Sequence, residues 1–89
     1  MATDDHKSEA SLLKEIAEVA KDIEVGATYR HYKQKDYTVL NIAINEEDME
    51  LMVVYQAKYG DKLIFLRPVR AWSETVEIDG RSMPRFKKV

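Results

Sequence analysis

The chain has no cysteine, only two histidines, two prolines and three glycines, and one tryptophan among its 89 residues. Each scarcity removes a class of protein. Without cysteine there is no disulfide framework, no thiolate zinc site and no Cys nucleophile, and two histidines cannot build a multi-His metal centre. So few glycines leave no Gly-rich loop for cradling phosphates. No apolar run approaches the roughly 20 residues of a membrane span. The opening Met-Ala-Thr-Asp-Asp-His-Lys is acidic where a secretory leader would be basic and then apolar. These absences lead us to expect a cytoplasmic protein held by packing alone, with no cofactor, no metal and no membrane contact.

What is present describes one small domain. An apolar fraction of 45% is too high for disorder, and the length is too short for two cores. Charge is balanced in total at −2 but unevenly placed: residues 1–25 carry a net −4 and residues 26–89 a net +2. Such a weakly basic body lacks the dense Lys/Arg surface of a non-specific nucleic-acid binder, so nucleic acid is admitted as a partner but not favoured.

Residues 1–7 read as a disordered arm. Residues 8–25 read as an amphipathic helix, with Leu12, Leu13, Ile16, Val19, Ala20 and Ile23 at spacings of three and four. Ser8 or Asp5 can cap its start and Gly26 can end it. From residue 26 the apolar period changes to two. Expected strands are Thr28–Tyr32, Tyr37–Ile44, Met49–Ala57, Leu63–Leu66, Trp72–Ile78 and Ser82–Phe86, with a fraying 87–89. Polar turns separate them, among them Asn45–Asp48 and the strong hairpin signal Asp79-Gly80. Within the second strand, Leu40, Ile42 and Ile44 are expected on one face and Val39, Asn41 and Ala43 on the other. The third looks covered on both faces. Five to six short antiparallel strands in so small a body favour an SH3-like barrel or a strongly bent sheet, with one helix at the N-terminal side.

The densest chemistry lies in Tyr29-Arg30-His31-Tyr32-Lys33, where alternation separates Arg30 and Tyr32 from Tyr29 and His31. Arginine beside an aromatic ring suits a planar or anionic ligand, because the guanidinium offers a fork and the ring a stacking surface. Tyr55, Tyr59 and Arg67 can rim the same groove if the hairpin pairs Tyr55–Ala57 with Leu63–Phe65, and Arg85 adds a further cation. The candidate ligand-binding set is therefore Tyr29, Arg30, His31, Tyr55, Arg67 and Arg85. The competing reading makes the tyrosines wall residues, gives Arg67 a partner in Glu74 or Glu77, and makes Trp72 and Phe86 core plugs. The acidic turn Glu46–Asp48 lacks the spaced oxygens of a calcium loop. A base built from His31 and Glu74 needs the two within hydrogen-bond reach. Nothing in the pattern demands an enzyme, and no catalytic residue is assigned.

Taken together, several motifs make residues 26–86 resemble a bacterial family, domain-of-unknown-function family 1653. They are Gly26 with Tyr29–Lys33; Tyr37, Val39 and Leu40; Val53, Val54, Tyr55, Tyr59 and Gly60; Arg67-Pro68; Trp72, Glu74 and Val76; and Asp79, Gly80, Pro84, Arg85 and Phe86. Two positions depart from the family pattern, Phe65 where a Trp is common and Trp72 where a Phe is usual, and both keep an aromatic. The resemblance implies a small bacterial β-domain with no assigned activity, and it leaves the helix outside. Two functions follow as expectations: a non-catalytic module binding a nucleotide, a nucleic acid or an acidic partner segment, or an interaction domain that self-associates or binds a partner through the helix stripe.

Overall fold

The computed structural model describes residues 7–89. The order is α1 (Glu9–Ala20), β1 (Thr28–His31), β2 (Asp36–Asn45), β3 (Glu50–Ala57), β4 (Ile64–Pro68), α2 (Val69–Trp72), β5 (Thr75–Ile78), β6 (Arg81–Pro84) and β7 (Phe86–Lys88). Five strands form an antiparallel sheet in the order β4-β3-β2-β1-β7, and β5 and β6 form a separate hairpin. The sheet has two edges, β4 and β7, so of the two expected forms the molecule adopts the open sheet and does not close into a barrel. No helix among the described residues is long and apolar enough to cross a membrane.

The helix begins where its cap predicts: Ser8 Oγ accepts the Ser11 N–H at 3.1 Å. It stops at Ala20, earlier than the apolar period suggests. Backbone bonds from Asp22 and Ile23 to the Val19 carbonyl then turn the chain inward and drop Ile23 into the core. Leu12 and Ile23 pack in the same cluster as Val39, Trp72 and Phe86, so α1 lies on its own sheet. Leu13 stays exposed. The arm expected over residues 1–7 lies outside the described residues except for Lys7, which is paired with Glu15 at 3.0 Å.

One bulge reorganises the expected faces of β2. Pairing with β3 shifts between Val39 and Asn41, so Leu40 is the extra residue. Val39, Ile42 and Ile44 therefore share the inner face, whereas strict alternation grouped Val39 with Asn41 and Ala43. Asn41 stabilises the irregularity by accepting the Ile42 N–H on its Oδ1 at 2.8 Å. Along β3 the inner residues Leu51, Val53, Tyr55 and Ala57 are buried, while Met52, Val54 and Gln56 on the outer face are only half-buried, so this strand is covered on one side.

The C-terminal third departs most from expectation. Trp72 is not in a strand; it ends the one-turn helix α2 after Pro68, which is the last residue of β4. Asp79 and Gly80 both adopt positive φ, as a two-residue hairpin requires. The return strand splits at Arg85: Met83 pairs with Val76 in the hairpin, whereas Phe86 leaves it and pairs with His31. Lys87 and Lys88 do not fray, because they pair with Arg30 and Tyr29 on the flank of β1.

Candidate functional site

The inner face of the sheet has two ends. At the end formed by the start of β3 and the close of β4, α1 and α2 cover aliphatic residues, with Val19 beside Leu51 and Val69. At the opposite end the inward positions are aromatic: His31 on β1, Tyr37 on β2, Tyr55 on β3, Phe65 on β4 and Phe86 on β7. Register brings them together, since Tyr55 stands opposite both Val39 and Phe65, and His31 stands opposite Phe86. Edge-on packing follows from the ring quadrupoles. Phe86 meets His31 at 4.9 Å, Tyr55 at 5.7 Å and Tyr37 at 5.9 Å, all steeply inclined, and it stacks flat on Trp72 at 3.7 Å. Trp72 and Phe86 are thus the seam between the two ends, and both are buried.

Cations border the aromatic end. The Arg67 guanidinium lies 5.8 Å from the Phe86 ring centre, and its Nε is 3.5 Å from the Tyr55 hydroxyl. Among the described residues no carboxylate lies within ion-pair distance of Arg67. Arg85 lies 5.9 Å from the Tyr32 ring centre, touches Glu74 at a long 3.4 Å, and has a buried Nε with no hydrogen-bond partner. His31 feels both charges, and its ring is 4.4 Å from that of Tyr32. Its Nδ1 accepts the Lys33 N–H at 3.2 Å, so the neutral ring carries its proton on Nε2. Burial, then the positive charges of Arg85, Arg67 and Lys33, hold the His31 pKa below its ordinary value. Tyr37 and Tyr59 share a 2.7 Å hydroxyl contact, and burial together with that contact pushes the Tyr37 phenol up to about 12.

The six residues singled out from sequence separate into three places. His31, Tyr55, Arg67 and Arg85 gather around Phe86. Arg30 points to the other face, where Asp36 holds it through two bonds of 2.8 and 3.1 Å; that pair raises the guanidinium pKa and lowers that of the carboxylate. Tyr29 is buried under the helix connection, its hydroxyl accepting the Glu24 N–H at 2.9 Å. Tyr32, Tyr37, Phe65 and Phe86 complete the aromatic end without having been in that set. The pairing of Tyr55 with Phe65 across the hairpin is the signal that finds one of them. Arg67 meets Tyr55 instead of Glu74 or Glu77, and Glu74 bonds Arg85 and not His31. A groove of about 430 Å³ adjoins His31, lined also by Arg30, Tyr32, Gln34, Pro84 and Lys87. Among the described residues no cluster of three or more His, Cys, Asp or Glu side chains could hold a metal ion.

Comparison with known proteins covers the same part of the chain. No curated protein matches. A solved structure, the crystal structure of a DUF1653 protein from Bordetella bronchiseptica, is similar at 37% identity and a TM-score of 0.69, over 78% of this chain and 90% of that one. The model of that family, described as protein of unknown function, matches residues 27–88, from just before β1 to the end of β7. The chain belongs to the DUF1653 family.

Proposed function

We propose that the domain is a non-catalytic binding module whose aromatic end holds an anionic group carried on a planar body, the class that includes nucleotides. The phosphate or carboxylate sits between Arg67 and Arg85, and the planar part lies against the half-exposed rings of Tyr32, Tyr37 and Phe65. The observation that carries this reading is Arg67: a guanidinium in an aromatic setting with no carboxylate within ion-pair distance among the described residues. A fork-shaped donor of that kind matches a two-oxygen acceptor, and nearby rings lower the local dielectric in which the contact forms. Arg30 is the internal control, since Asp36 already occupies its fork.

Titration calorimetry with nucleoside mono- and diphosphates, a neutral nucleoside and short oligonucleotides tests the reading. Binding of the charged nucleotides is expected to fall at least tenfold in Arg67→Ala and to be unchanged in Arg30→Ala. Failure of every nucleotide to bind the wild type at millimolar concentration, or equal binding by the two variants, rejects it.

A further inference from the structure

The two edges of the sheet are finished differently. β7 is three residues long, and two of those are lysines, a common means of keeping other strands away. β4 carries its charge and its proline, Arg67 and Pro68, only at its far end. Leu63, Ile64, Phe65 and Leu66 are consecutive, uncharged and 61, 58, 38 and 63% exposed along an open edge. Beside Ile64 and Leu66 on the outer face, β3 adds the half-buried Val54. The backbone is poised in the same way. Ala57 N–H donates to the Leu63 carbonyl at 2.9 Å, so ladder alternation commits Leu63, Phe65 and Arg67 to β3 and turns the N–H and C=O groups of Ile64 and Leu66 outward.

We propose that β4 is a self-association edge on which a second copy of this chain pairs antiparallel about a two-fold axis at Ile64, joining two five-stranded sheets into one. Three observations select a second copy as the occupant. The outward groups of Ile64 are self-complementary in that register and make its one hydrogen-bonded pair, because the N–H and C=O of Lys62, which stands opposite Leu66, are already held by Tyr59 and Gln56; the same register sets Leu63 opposite Phe65 of the second copy. The antiparallel sense brings the turn bearing Asp61 of each copy alongside the end bearing Arg67 of the other, whereas a parallel pair would place Arg67 beside Arg67. The lysines of β7 disfavour β4-on-β7 pairing, so association closes at two copies instead of growing into a filament. The apolar area removed is at most on the order of 800 Å² for both copies, below the roughly 1,200 Å² at which stable specific interfaces begin, so the dimer is weak and depends on concentration. Arg67 then has two claimants, an anionic ligand and Asp61 of the second copy, and the test is therefore run in ligand-free buffer.

Because the chain has no cysteine, single introduced thiols report the contact directly. Sedimentation equilibrium of the full chain from 10 µM to about 1 mM is expected to show a monomer–dimer equilibrium, since an interface of this size favours weak association. Leu66→Lys should raise the dimer dissociation constant at least tenfold, with an unchanged circular dichroism spectrum because the side chain is exposed. Ile64→Cys should form an intermolecular disulfide under mild oxidant, because facing Cα atoms of a hydrogen-bonded pair stand about 5.5 Å apart, within disulfide range. Leu13→Cys, on the exposed side of α1, should not. A wild type that stays monomeric, a dimer indifferent to Leu66→Lys, or cross-linking through Leu13→Cys in place of Ile64→Cys overturns the proposal.

Discussion

The same sheet face is mainly aliphatic under the helices and aromatic beyond them, where only Trp72 at the end of α2 reaches. At the covered end Leu12, Ile23, Val39, Leu51 and Val53 meet in a cluster that excludes water, and Val39 and Val53 are fully buried. At the uncovered end Tyr37, Tyr59 and Phe65 keep part of their surface in solvent and are edged by Arg67, Arg85 and Lys35. The difference teaches how so small a domain divides labour. Aliphatic side chains have no polar function to satisfy, so they suit the sealed part, whereas tyrosines tolerate a wet hydroxyl and a cation over the ring. The first end is sealed from water, and the second keeps rings and cations open to it.

Removing the seam should do the most damage. Trp72→Ala is expected to cost about 3–5 kcal/mol, because it leaves a cavity and strips Phe86 and Tyr55 of their packing partner; denaturant unfolding measures this. The two ends separate next. Leu51→Ala should cost about 2–5 kcal/mol and leave ligand affinity intact, while Phe65→Ala, already partly exposed, should cost under about 1.5 kcal/mol and weaken ligand binding. Similar stability losses for the two would erase the distinction between the ends.

The titrating groups sharpen the contrast more finely. His31 has a folded pKa below its unfolded value of about 6.5, so its neutral form is the one the fold favours. Its contribution to stability is complete above that unfolded value and is lost as pH falls through the lowered folded one. Melting temperature should therefore drop on acidification through that window, and His31→Gln should flatten the drop. An anion bound between Arg67 and Arg85 should move the His31 pKa upward, readable by NMR, because it offsets the positive charge around the ring. The smallest effect concerns Tyr37: Tyr59→Phe removes the hydroxyl partner, and ultraviolet titration should show the Tyr37 phenol falling from about 12 toward the usual value.

How much of this was legible depended on how local the cause was. The Ser8 cap, the Asp79-Gly80 turn and the pairing of Tyr55 with Phe65 each follow from a few neighbouring residues, and each is where the pattern places it. The bulge at Leu40 was not, because an alternating run has no mark at which one residue is skipped. The β-favouring run after Trp72 predicts a strand there, yet packing against Phe86 and Tyr55 decides its place. For the site, proximity of Arg67 and Tyr55 could be argued from one hairpin. The arrival of Arg85 and Phe86 beside His31 could not, since it needs the chain to leave the β5–β6 hairpin at Arg85 and cross to β1. For Arg30 the local partner is what the pattern leaves unread: Asp36, directly across the turn, holds its guanidinium.

The pairing of β1 with β7 also ties together strands that lie far apart along the chain. Tyr29 stands opposite Lys88, so one flank of β1 is occupied only when β7 is in place. Until Phe86 arrives, Trp72 lacks its stacking partner and the water-excluding cluster has an open wall. Without β7 the sheet would present unpaired ladder groups on both margins, on the flank of β1 as well as on β4, so three residues decide whether the domain has one adhesive side or two.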